Sequence, residues 1–66
     1  MEIKPDEIAK VLRERIEGLE TGGADLAEIG TVLSVEEHND DLKITVRFNT
    51  VGQKKLLARY AKLEPA

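Results

Sequence analysis

Sixty-six residues with no cysteine and one histidine make one small domain at most, and they exclude a disulfide framework, a thiolate metal site and a histidine cluster. A chain this short buries only about 60% of the surface that its unfolded form exposes, so a small apolar core must carry the stability. The net charge of −3 is unevenly spread: Met1 to Leu42 holds twelve acidic residues against four basic ones, a balance of −8, and Lys43 to Ala66 holds six basic residues against Glu64, a balance of +5.

The two oppositely charged halves either attract each other, within a fold or between copies, or leave a basic surface for an acidic protein or a nucleic acid. The longest apolar run is too short to cross a bilayer, and the N-terminus lacks the basic start and apolar stretch of a secretory signal. A soluble, cytoplasmic protein without membrane contact is therefore expected.

In chain order, Met1 to Lys4 is a short tail, and Pro5 stands where a first helical residue tolerates a missing N–H. Asp6 and Glu7 would then favour the positive end of the helix dipole. Ile8, Val11, Leu12, Ile16 and Leu19 fall at offsets 0, 3, 4, 8 and 11, one stripe of an α-helix. The spacing predicts an amphipathic helix over 1–20, weakened at Gly18 and stopped between Glu17 and Thr21, ahead of Gly22 and Gly23. Such a helix either covers a sheet or docks into a partner's groove. Its mixed to acidic polar face disfavours a membrane surface.

Residues 21–29 read as a linker, with room for one helical turn from Asp25 to Glu28. Gly30 to Val35, GTVLSV, is the predicted first strand and the hub of the sheet, with β-branched Thr31, Val32 and Val35 suited to a pleated surface. Val32, Leu33 and Val35 do not share one face, which implies burial on both sides or a bend. Glu36 to Asp41, EEHNDD, is a turn by composition. Leu42 to Phe48 alternates strictly, so the two strands form an antiparallel hairpin with a longer loop.

His38 is the one side chain that invites a site. A lone histidine among Glu36, Glu37, Asp40 and Asp41 does not match a zinc site, the spacing is not that of a calcium loop, and a catalytic triad lacks its partners. No catalytic residue, metal ligand or cofactor is assigned, and a non-enzymatic role is expected.

Asn49 to Gly52 is a second turn. After it, Gln53 to Glu64 is ambiguous. Propensity and a stripe of Leu56, Leu57, Tyr60 and Leu63 favour a helix ended by Pro65. The alternative is a strand over Lys54 to Ala58, a tight turn at Arg59 to Ala61 and a final strand from Lys62 to Glu64.

Two family resemblances meet at GTVLSV. IKPDEIAKVLRERIEGLE and EIGTVLSV resemble the leading helix and first crown strand of the rotary ATP synthase α subunit. GTVLSV, LKITVRF and VGQKKLLARYAKLE resemble the C-terminal Tudor-like, SH3-like barrel of UvrD/PcrA-type DNA-repair helicases. The second likeness implies strand, short turn, strand for the ambiguous stretch. No Walker motif occurs, so nucleotide hydrolysis does not carry over. The barrel's usual opening strand is expected to be absent, with the helix and linker in its place and an edge left to be sealed by the helix or by a second copy.

The expected fold is α+β: an N-terminal amphipathic helix, then a small, bent antiparallel sheet of incomplete SH3/Tudor-like barrel type over 30–66. The resemblances imply a non-catalytic protein-interaction module. Its barrel candidates, by analogy with RNA polymerase binding, are Lys54, Lys55, Arg59 and Lys62. Its helix candidates, by analogy with a peripheral-stalk contact, are Ile8, Leu12 and Ile16. A chain joining two families at one strand also suits an engineered or reconstructed chimera that mainly self-associates as a homo-oligomer. Electrostatic nucleic-acid binding by the basic half is a third reading, short of aromatic stacking platforms.

Overall fold

The computed structural model describes residues 3–19 and 26–65. The expectations for Met1, Glu2 and the segment from Glu20 to Asp25 fall outside them. Among the described residues there are five strands and no α-helix: β1 Ile8–Leu12, β2 Ala27–His38, β3 Asp41–Phe48, β4 Gly52–Leu57 and β5 Ala61–Glu64, with 3-10 turns at Arg13–Arg15 and Ala58–Tyr60. They form one sheet in the order β4-β3-β2-β1-β5, antiparallel at every pairing.

The predicted N-terminal helix, and with it the α+β class, is thus overturned. IAKVL is a strand, hydrogen-bonded to β2 on one side and β5 on the other. This is the opening strand expected to be missing, so the barrel is not incomplete in that way, and β1 itself seals the edge that was expected to fall to a helix or to a second copy. The physical reason is tertiary. A helix of about a dozen residues is marginal in water without a packing partner, whereas the same residues as a central strand fill two open ladders and bury Ala9 and Val11.

The residues taken for a helix start make a turn instead. The Glu7 N–H donates to the Lys4 carbonyl at 3.4 Å, and Asp6 has φ 74. Proline second and a positive φ third are the marks of a type II turn. Proline fits both structures, and only the tertiary pairing decides. The Asp6 N–H donates to the Val32 carbonyl and the Val32 N–H to the Glu7 carbonyl, at 2.8 and 2.9 Å, which locks the turn onto β2. Because a non-glycine residue in left-handed backbone costs roughly 1 kcal/mol, Asp6→Gly should stabilise the domain by up to about that amount, read as a rise in the midpoint of urea unfolding.

β3 alternates as predicted, with Ile44, Val46 and Phe48 buried. The hairpin before it is tighter than expected. His38 pairs with Asp41, so the loop is only Asn39 and Asp40, and Asn39 takes the left-handed angle at φ 54. The phase problem in GTVLSV is resolved by a bulge between Val32 and Ser34. Leu33 is the extra residue, exposed on the outside, and it flips the alternation so that Val32 and Val35 both face inward and the strand bends.

Strand, 3-10 turn, strand is the structure of the ambiguous C-terminal stretch. Among the described residues no helix layer covers the inner face of the sheet, yet Ala9, Val32, Ile44 and Val46 are fully buried. The sheet therefore curls on itself, bringing Leu42 of β3 and Leu63 of β5 to one groove together with Ile3 and Ala58. Ile3, Ile16 and Leu56 complete the core.

Candidate functional site

A strand buried on one side presents its other side to solvent, and in β1 that side is unusually apolar. Ile8, Lys10 and Leu12 point outward, opposite Thr31, Ile29 and Ala27 of β2. Ile8 is 38% exposed, Leu12 42%, and Ile29 59%. Ile29 stands diagonal to both Ile8 and Leu12, within reach of long side chains. At the entrance to β2, Leu26 is 60% exposed, and its carbonyl accepts a hydrogen bond from the Arg13 N–H at 2.8 Å. Ile8, Leu12 and Ile29 thus share one outer face, and none of them belongs to the core.

The cations frame this patch. Lys62 of β5 lies directly opposite Lys10 of β1. A groove of about 410 Å³ runs beside them, lined by Lys10, Leu12, Ala27, Arg59, Tyr60, Ala61 and Lys62. Tyr60 is 40% exposed, and the Arg15 guanidinium carbon lies 4.9 Å from its ring centroid, a cation–π distance.

The sequence candidates divide on this structure. Ile8, Leu12 and Lys62 share the outer face of β5 and β1. Ile16 does not: at 2% exposure it belongs to the core, carried inward by the 3-10 turn that follows β1, and it is corrected from a docking residue to a packing residue. Lys54 and Lys55 lie on β4, at the other end of the sheet order from Lys62. Lys54 is half-buried beside the core residue Val46, and Lys55 points outward. Arg59 hydrogen-bonds and ion-pairs with Asp41. That hydrogen bond and the attraction of the carboxylate raise its pKa above the ordinary guanidinium value.

Lys10, Ile29 and Tyr60 went unrecognised as site residues. Their signal was present as the outward alternation Ile8, Lys10, Leu12, which is legible only once β1 is known to be a strand.

Elsewhere four ion pairs hold charges locally. Arg13 Nε lies 3.3 Å from a Glu28 carboxylate oxygen, an ion pair without hydrogen-bond geometry. Thr50 Oγ1 donates to the other oxygen at 2.6 Å. Glu28 thereby ties the end of β1 to the β3–β4 turn. Lys43 pairs with Glu17 at 3.4 Å and Arg15 with Glu14 at 3.6 Å. His38 lines a separate groove with Glu17, Asp41 and Lys43. Among the described residues no group of three or more histidine, cysteine, aspartate or glutamate side chains could hold a metal ion, and no helix is long and apolar enough to cross a membrane.

Comparison with known proteins places this geometry. Over 34 residues the chain is 59% identical to the ATP synthase subunit alpha of Flavobacterium johnsoniae, a match that covers 52% of the chain and 6% of that protein. The chain thus spans a small fraction of this relative's length. No solved structure matches the chain. The model of the PcrA/UvrD tudor domain matches residues 28–64, from the second residue of β2 to the last of β5. Because that match takes in more than half of the sequence and four of its five strands, the chain belongs to the PcrA/UvrD tudor domain family.

Proposed function

We propose that the protein is a non-catalytic protein-interaction module whose binding surface is the outer face of β5, β1 and the start of β2. The observation that carries this reading is the exposure of Ile8, Leu12 and Ile29 on one face of the β1–β2 pair in a chain whose core is so small. A domain short of apolar burial leaves such residues in water when another surface covers them in use. The helicase likeness makes RNA polymerase the first partner to test.

Calorimetric titration of RNA polymerase core enzyme into the protein supplies the test. Leu12→Ser combined with Ile29→Ser should weaken binding by about tenfold or more while shifting stability little, since both side chains are exposed. Equal affinity of the double variant, or no binding by the unmodified chain, would count against the reading. A nucleic-acid role has less support: of the two aromatic residues, Phe48 is buried, and the partly exposed Tyr60, with Arg15 over its ring, is too little for a row of stacked bases.

A further inference from the structure

We infer that the outer face of β1 and β5 receives an extended, acidic segment of a partner protein, with one carboxylate seated between Lys10 and Lys62 and apolar residues on either side of it. This rests on the interaction-module reading and specifies the chemistry of its partner.

The first observation is a like-charge pair. Lys10 and Lys62 face each other directly across the β1–β5 ladder, an arrangement that destabilises a sheet when nothing neutralises it. The ion pairs among the described residues go to Arg13, Arg15, Lys43 and Arg59, and neither Lys10 nor Lys62 is among them. Two exposed lysines at directly opposite positions of a sheet are a poor arrangement for folding and a suitable one for a carboxylate, which can accept hydrogen bonds from both ammonium groups.

The second observation is the spacing. Along the outside of β1 the side chains run apolar, cationic, apolar: Ile8, Lys10, Leu12. Successive same-face residues of a strand are roughly 6.6–6.8 Å apart. An extended peptide has the same repeat, so one that reads apolar, any residue, acidic, any residue, apolar presents a matching row. Its apolar side chains would rest near Ile8 and in the groove beside Leu12 and Tyr60, while the carboxylate meets the lysines. Glu64, which lies opposite Ile8, repels a second carboxylate at that end and so favours a single acidic position.

The test is an amide-shift titration of the full chain by NMR with a capped peptide of alternating threonines carrying leucine, glutamate and leucine on one face. Shifts confined to β1, β5 and the start of β2 are expected. Affinity should fall at least about tenfold when glutamine replaces the peptide's glutamate, or in Lys10→Glu or Lys62→Glu, and should persist in Lys55→Glu. Lys10→Gln and Lys62→Gln serve should a reversal variant lose its dispersed spectrum.

Binding indifferent to the peptide's charge, or no shifts at millimolar peptide, would overturn the acidic-segment assignment. Shifts centred on β4 would overturn this face. If RNA polymerase still binds in the calorimetric experiment, the module reading survives either of those failures. Stronger shifts at Lys10 and Lys62 from duplex or single-stranded DNA than from the peptide would overturn the protein-segment assignment in favour of nucleic acid.

Discussion

Replacing Gly30 with alanine should leave the domain largely unfolded at room temperature. A Cβ built there would lie 2.5 Å from Val46 Cγ1, 2.7 Å from the Arg47 carbonyl oxygen and 2.9 Å from Phe48 Cδ1. A flexible side chain could swing away from such a contact. A backbone oxygen held in the β2–β3 ladder cannot, and Val46 and Phe48 are themselves locked in the core. Gly30 sits between Ala9 of β1 and Phe48 of β3, so opening the space would separate the central strands.

Overpacking a tight core costs about 1–3 kcal/mol and sometimes more. A domain this small rarely has more than about 3–5 kcal/mol in total. Loss of the dispersed amide spectrum, or a fall of roughly 10–25 °C in melting temperature, is the expected readout. A variant that melts like the parent would show that β2 and β3 do not approach as closely at Gly30 as the structure has them. Glycine is needed here for space and not for backbone freedom, as its φ is not positive.

The second large effect separates two neighbours that the helical stripe treats alike. Ile16→Ala should destabilise by about 2–5 kcal/mol, because a buried branched side chain leaves a cavity, whereas Leu12→Ala on the outer face should change stability by no more than roughly 0.5 kcal/mol. On an amphipathic helix packed against a sheet both would be costly, and on a docking helix both would be cheap. Chemical denaturation of the two variants distinguishes these cases. Comparable losses for both would reinstate the stripe and remove Leu12 from the proposed binding face.

The stripe misled for a specific reason. Val11 is shared by the period-3.6 set and by the period-2 set of Ala9 and Val11, and alanine carries too little hydrophobic weight to reveal the second. Ala9 nonetheless faces inward, fully buried and paired with Gly30 across the β1–β2 ladder. Ile16 reaches the core only because a 3-10 turn intervenes after Leu12. Pro5 suits a helix start and a type II turn equally, and Asp6 by itself favours the helix start, since the turn holds it at φ 74. In GTVLSV the mixed phase was legible as a bend or as two-sided burial. The bulge at Leu33 shows it to be a bend.

Local pattern was sufficient where one periodicity stood alone. The alternation from Leu42 to Phe48 and the hub position of Gly30 to Val35 follow from residues adjacent in the chain, whereas the turn between them was read too long, since Glu36 to His38 continue β2. The fate of Ile8 to Leu12 does not follow from adjacent residues, because its backbone hydrogen bonds are made with β2 and β5, and a segment with high helix propensity becomes a strand when two unfilled ladders await it on either side. That same long-range pairing sets Lys10 against Lys62 and turns Ile8, Leu12 and Ile29 outward together, so the candidate binding face exists only in the folded sheet.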